Sequence, residues 1–220
     1  MRVVAAVPFE TVQRRFARAH PLGLAHEANT NDEAEEHIRQ AQSTLGAWQR
    51  VLLDRDDLLG MVLPWHLGEG GERELVPASG LTVAEAVLRL RELGDTYART
   101  NPVCARKLGR MATAPFTPLF LSTHAVPGVD YEGLVVREGL IHLDGLHRAL
   151  AWERAGRLTP GTRIEAFLAS HAPAGAASEP RPGAAPGSGS GPGPGPDSAA
   201  SHVRHRAGQD GDGLDVHAPR

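Results

Sequence analysis

Apolar residues along the chain follow two rhythms. Some alternate or run unbroken over a short stretch, as strands do; others recur at three and four, as helices do. "VVAAVPF" predicts a short first strand ended near Pro8, and "TVQRRFARAH" a short helix that stops before Pro21. Thr30 and Glu33 have the spacing of a capping box. Ile38, Leu45, Trp48, Leu52 and Leu53 then fall near helical spacing and predict one long helix over about 31–58, bent at Gly46. "MVLPWHLGEGGERELVP" suits a loop or a pair of short strands. Thr82 and Glu85 repeat the capping-box spacing, and Val83, Val87, Leu90 and Tyr97 mark one face of a helix over about 82–98. Asn101 followed by Pro102 is a helix start, and "VCARKLGRM" continues it. "TPLFLS" reads as a buried strand, and "HAVPGVDY" as a turn-rich connection. "EGLVVREGLIHLDG" reads as a hairpin around Arg137-Glu138-Gly139. "LHRALAWERAG" is a helix closed by Gly156, and "RIEAFLA" a last strand. The expected fold is α+β: a small mixed sheet from the C-terminal half, packed against several helices.

Composition divides the 220 residues in two. From about residue 171, Gly, Pro, Ala and Ser dominate, and Val203, Leu214 and Val216 are the only large aliphatics. Such a segment buries too little surface to offset the entropy of ordering it. One domain over 1–170, helical in its N-terminal part, and a disordered tail over 171–220 are the expected organisation. The formal net charge of −3 does not suit a domain that lives on phosphate backbones, so a DNA partner is not expected. Cys104 is the only cysteine, which excludes an intrachain disulfide and a cluster of thiolates. No apolar run approaches the roughly 20 residues of a membrane span, and no signal peptide is legible. A cytoplasmic protein without a membrane partner is the expectation.

The candidate chemistry sits at one joint. In "LIHLDGLHRALAWERAGRL", residues 140–158, a strand pattern ends in Asp144-Gly145 and a helix pattern begins. The first amides of a helix have no internal partner and carry the positive end of its dipole, so they attract anions. Gly145 permits close backbone approach, Arg148 offers a planar set of donors, and His147 donates according to its protonation state. Asp144 can cap the helix, bind a ligand hydroxyl or help hold a metal ion. The spacing makes sense as a phosphate cradle with an acidic neighbour. Arg148 has a plainer reading, a pair with Glu153 or an upstream acid. His142 alternates with Ile141 and Leu143 and reads as a sheet-face residue, while Ala149, Leu150 and Trp152 read as core. His20, His26, His37, His66 and His124 show no metal-ligand spacing, and no metal site is expected. Cys104 reads as a small buried hydrophobe. "GEGG" at 68–71 lacks the ending of a phosphate loop.

Residues 117–169, with Asp144-Gly145-Leu146-His147-Arg148 at their centre, resemble the C-terminal half of the ParB/sulfiredoxin-like superfamily. Members end a strand in a Gly-X-His-Arg or Gly-X-Arg-Arg turn that leads into a helix and then a strand. The resemblance implies a nucleotide site over Asp144, Gly145, Leu146, His147 and Arg148, with Gly145, His147 and Arg148 on the phosphates and ATP or another nucleotide with magnesium as the ligand. Leu146 stands where sulfiredoxin has its reactive cysteine, so sulfiredoxin chemistry is not expected. A partition protein would add a helix-turn-helix, and here the Gly/Pro-rich segment follows instead. The branch that phosphorylates free serine is the nearest functional analogue, with Glu85 and Glu92 as weakly placed candidates for its base. The expectation is a nucleotide-binding protein that acts as a small-molecule phosphotransferase. The alternative is a non-catalytic nucleotide-sensing or protein-interaction module.

Overall fold

Strand pairing in the computed structural model, which describes residues 1–21, 31–68 and 70–172, joins both halves of the sequence in one sheet. The elements in chain order are β1 (Arg2–Val7), α1 (Phe9–Ala19), α2 (Asn31–Leu45), β2 (Gly46–Leu53), α3 (Arg55–Leu59), β3 (Val62–Leu63) and β4 (Leu81–Thr82). They continue with α4 (Val83–Thr100), α5 (Pro102–Thr113), β5 (Leu119–His124), α6 (Val129–Glu132), β6 (Glu138–Asp144), α7 (Leu146–Arg154) and β7 (Ile164–His171). The strand order is β1-β2-β7-β5-β6-β3-β4. Pairing is parallel at β5–β7 and β3–β6 and antiparallel elsewhere. The fold is thus mixed α+β, as expected, but the sheet also draws four strands from the N-terminal half.

Side-chain alternation explains why this sheet carries helices on both faces. In β5, Leu119 and Leu121 join the core under α4, α5 and α7, while Phe120 joins the core under α1 and α2. In β7, Ile164, Ala166 and Leu168 point to the first core and Phe167 and Ala169 to the second. A strand covered on both faces reads as a nearly continuous apolar run, which is how "TPLFLS" and "RIEAFLA" read. Phe120 stacks on Phe167 and meets the edge of Phe16, tying β5, β7 and α1. Trp152, fully buried, fills the other face as expected, together with Ala149 and Leu150.

Two expected elements are corrected. The helix over 31–58 stops at Leu45, and Gly46, at φ 78°, turns the chain into β2. Glycine reaches that left-handed backbone without steric penalty and so ends helices. Beyond it Val51 and Leu53 are buried on one face of β2 and Trp48 on the other, and α3 begins separately at a capping box of Asp54 and Asp57. The hairpin over 132–144 is one strand, not two. Val135 and Val136 are exposed and outside the sheet, because β6 finds its partners in β5 and β3. "HAVPGVDY" contains the short helix α6.

Other expectations hold locally. The Thr82–Glu85 capping box is made in both directions. α4 continues to Thr100 across a kink at Gly94. The "MVLPWHLGEGGERELVP" segment contributes β3 and a bridge between His66 and Val76. Asn101 precedes Pro102 at the start of α5, yet its side chain makes no cap. Its amide instead donates to the carbonyls of Leu67 and Arg73, pinning the loop that carries His66. Thr30 lies outside the described residues, so the first capping box is not visible. The described residues all fall within one compact unit. β7 reaches His171, just past the expected boundary, and from residue 173 the expected tail lies outside the described residues. Among the described residues no helix is long and apolar enough to cross a membrane.

Candidate functional site

The joint singled out in the sequence opens onto a cleft of about 440 Å³. Its walls come from β6 and the start of α7, from the loop after β3, from α5, from the first turns of α2, and from Asp130 at α6. All five residues Asp144, Gly145, Leu146, His147 and Arg148 line it.

Their local geometry is dictated by Gly145 and the charge pair beside it. Gly145 sits at φ 113°, and a Cβ there would stand 2.3 Å from Leu119 Cδ2 and 3.1 Å from Arg148 Nη2. Only glycine fits between the strand end and the helix start. Arg148 is buried and pairs through Nη2 with Asp144. Its Nη1 donates to Thr117 Oγ1 and to the Pro118 carbonyl, both at 2.8 Å. The upstream-acid reading of Arg148 is therefore the one realised, while Glu153 pairs with Arg55. Asp144 does not cap α7: the N-cap is Gly145, and no side-chain cap is made among the described residues. Burial would raise the Asp144 carboxyl, but the Arg148 guanidinium and a bond to His20 hold it well below the usual carboxylate range. His20 Nε2 lies 3.3 Å from Asp144.

His147 points away from this pair, toward Cys104. Its Nε2 stands 3.0 Å from Cys104 Sγ, and His66 Nε2 stands 3.9 Å from the same sulfur. The rings of His66 and His147 meet edge to face at 5.0 Å. Each of the three residues offers a ligating atom within 4.8 Å of the other two. Burial pushes His66 down to about 4, helped by the charge of Lys107, and holds His147 well below its ordinary value. Burial pushes the Cys104 thiol up, against a hydrogen bond donated by Tyr97 Oη at 3.0 Å. Cys104 is buried in the core, as expected, and its sulfur also meets Tyr97 and His147.

A second group lines the same cleft. Glu33, His37 and Asp130 also bring one ligating atom each within 4.8 Å of one another. His37 Nε2 is 3.6 Å from Asp130 Oδ2, and burial together with Glu33 pushes Asp130 up to about 6. His142, on β6, is buried in the cleft wall, and neither ring nitrogen has a partner among the described residues. Burial pushes it down to about 3.

The histidines show no metal-ligand spacing along the chain; in space His66 and His147 come together with Cys104, and His37 with Glu33 and Asp130. His66 and His147 lie 38 and 43 residues from Cys104; His66 is on a loop, His147 at the start of α7 and Cys104 in the first turn of α5. No local spacing could signal that convergence. His26 lies outside the described residues. Glu85 is engaged in its capping box at the start of α4, Glu92 is exposed on the same helix, and neither lines the cleft. "GEGG" contributes Gly68 to the wall.

Fold and site together define a mixed α+β protein with a histidine-lined cleft built around one cysteine. The chain belongs to DUF6309, a family of unknown function whose model matches residues 1–186. No curated protein and no solved structure matches it.

Two predictions follow from the charges at the joint. Arg148→Ala leaves the Asp144 carboxylate buried without its partner and should destabilise by about 3–5 kcal/mol in urea unfolding. Arg148→Lys should recover only part of this, because lysine cannot reproduce the planar fork. A loss near zero for alanine would contradict the internal pairing. The second concerns pH. His66, His142 and His147 stay neutral in the folded protein, whereas the unfolded chain takes up their protons near pH ~6.5. The unfolded state then binds more protons, so stability should fall as pH drops from about 6.5 toward 4. Asp130, shifted upward, opposes this in part between about 6 and 4. His142→Leu should flatten the fall, and a stability that rises on acidification would contradict the assignment.

Proposed function

We propose that the protein binds a zinc-type divalent metal ion through His66, Cys104 and His147 and presents the ion to a small-molecule ligand in the cleft. The observation that supports this is the convergence of the three ligating atoms on one point of the cleft wall. A thiolate and an imidazole nitrogen that share a tetrahedral zinc ion stand about 3.6 Å apart, from Zn–S ≈ 2.3 Å and Zn–N ≈ 2.0–2.1 Å. The separations of 3.0 and 3.9 Å straddle that value. A thiolate with two imidazoles selects zinc-class ions over magnesium or calcium. Tyr97, donating to the sulfur, supplies the outer hydrogen bond that orients such ligands.

Three protein ligands leave a fourth position on the ion, the arrangement of sites that polarise a substrate oxygen or activate water. His147 thereby takes the part of a metal ligand rather than of a phosphate contact. The test is cobalt titration of the metal-stripped full chain. One equivalent should bind with tetrahedral d–d bands and a sulfur-to-cobalt charge-transfer band, and Cys104→Ser should lose the latter. Absence of that band in the folded wild type would overturn the proposal.

One observation favours a second reading. The first turn of α7 lines the cleft with no side-chain cap, so its amides are positioned for an anion. In that reading the ligand is ATP or another nucleotide with magnesium, and the protein is a small-molecule phosphotransferase or a nucleotide sensor. Arg148 then supports the cradle through Asp144 rather than touching phosphate. ATP, ADP or CTP with magnesium should raise the melting temperature of the full chain if this holds; three unshifted melting curves would set it aside.

A further inference from the structure

We propose that Glu33, His37 and Asp130 form a second cation site on the wall of the same cleft, suited to a harder divalent ion of the Mn²⁺ or Fe²⁺ class. The site shares no ligand with His66, Cys104 and His147, so it does not depend on the zinc-type reading. Its donors are two carboxylates and one imidazole, with ligating atoms within 4.8 Å of one another. Oxygen-rich sets of this kind suit manganese or ferrous iron better than a thiolate site does.

The placement is built rather than incidental. Glu33 and His37 stand four residues apart on α2, which puts both side chains on one face of the helix. Asp130 comes from α6 and is nine-tenths buried, with His37 Nε2 3.6 Å from its Oδ2. Tyr131, the next residue, meets the edge of the His37 ring at 4.9 Å and fixes its orientation. Gly128, at φ 150°, takes a backbone conformation that side chains rarely adopt as the chain turns into α6.

An independent observation points to a ligand in the same cleft. His142 lines it, is more than nine-tenths buried, and has two ring nitrogens without a partner among the described residues. A buried imidazole with no hydrogen bond is costly unless a bound group completes it. The Tyr131 hydroxyl donates to the His142 carbonyl at 2.9 Å, so the residue beside Asp130 also holds the strand that carries His142. The Trp65 amide donates to the Asp130 carbonyl at 3.2 Å, which ties the site to the loop bearing His66.

The test is Mn²⁺ titration of the metal-stripped full chain, followed by loss of the free-ion EPR signal. Wild type should retain one ion. Asp130→Asn and His37→Gln should weaken retention by at least about tenfold, the least that loss of even an outer partner costs. Glu33→Gln, on an exposed residue that leaves folding intact, should weaken it in the same direction. Cys104→Ser should leave Mn²⁺ retention unchanged while abolishing the cobalt–thiolate band, which separates failure of this site from failure of the other. A folded wild type that retains no Mn²⁺, or equal retention by wild type and Glu33→Gln, would overturn the proposal. So would loss of retention in Cys104→Ser.

Discussion

The buried ion pair of Asp144 and Arg148 is the constraint on which the functional end of this molecule depends. The carboxylate ends β6, and the guanidinium lies one helical turn into α7. Gly145 between them adopts a backbone that admits no side chain. Arg148 also holds Thr117 and Pro118, the residues that lead into β5. One side chain therefore fixes two strands and a helix against each other. Either charge alone would be costly in this setting; together, with Nη1 of Arg148 engaged by Thr117 and Pro118, they are tolerated and specify the joint.

That joint decides where His147 points. With Arg148 turned inward, its neighbour projects toward α5, where Cys104 is buried beneath Tyr97 and beside the loop of His66. The loop is itself held by Asn101 and by the Trp65–Asp130 bond. Burial keeps the imidazoles neutral, the form in which histidine ligates metals. The same burial that shapes the core thus sets the protonation of the imidazoles on which the proposed metal site rests.

Local signals are legible in the sequence, and long-range ones are not. The Thr82–Glu85 box, the Pro102 start of α5 and the strand–glycine–helix turn at 144–148 are each written within a few residues. The stretch over 31–58 is not one helix because Trp48 and Leu52 satisfy helical spacing while, in a strand, Val51 and Leu53 bury on one face of the sheet and Trp48 on the other; Gly46 decides between them. The hairpin failed because Val135 and Val136 look like a strand, yet the sheet positions beside β6 are taken by β5 and β3. In the site, Asp144, Gly145, His147 and Arg148 were legible as a group. Cys104, His66, His37 and Asp130 were not, since only strand order and helix packing bring them together.

The central claim is that His66, Cys104 and His147 make one metal centre. X-ray absorption at the zinc edge of the zinc-loaded full chain tests it most directly. The account predicts one sulfur at about 2.3 Å and two imidazole nitrogens at about 2.0–2.1 Å, with a light atom completing the shell. A first shell of nitrogen and oxygen alone, without sulfur, would contradict it.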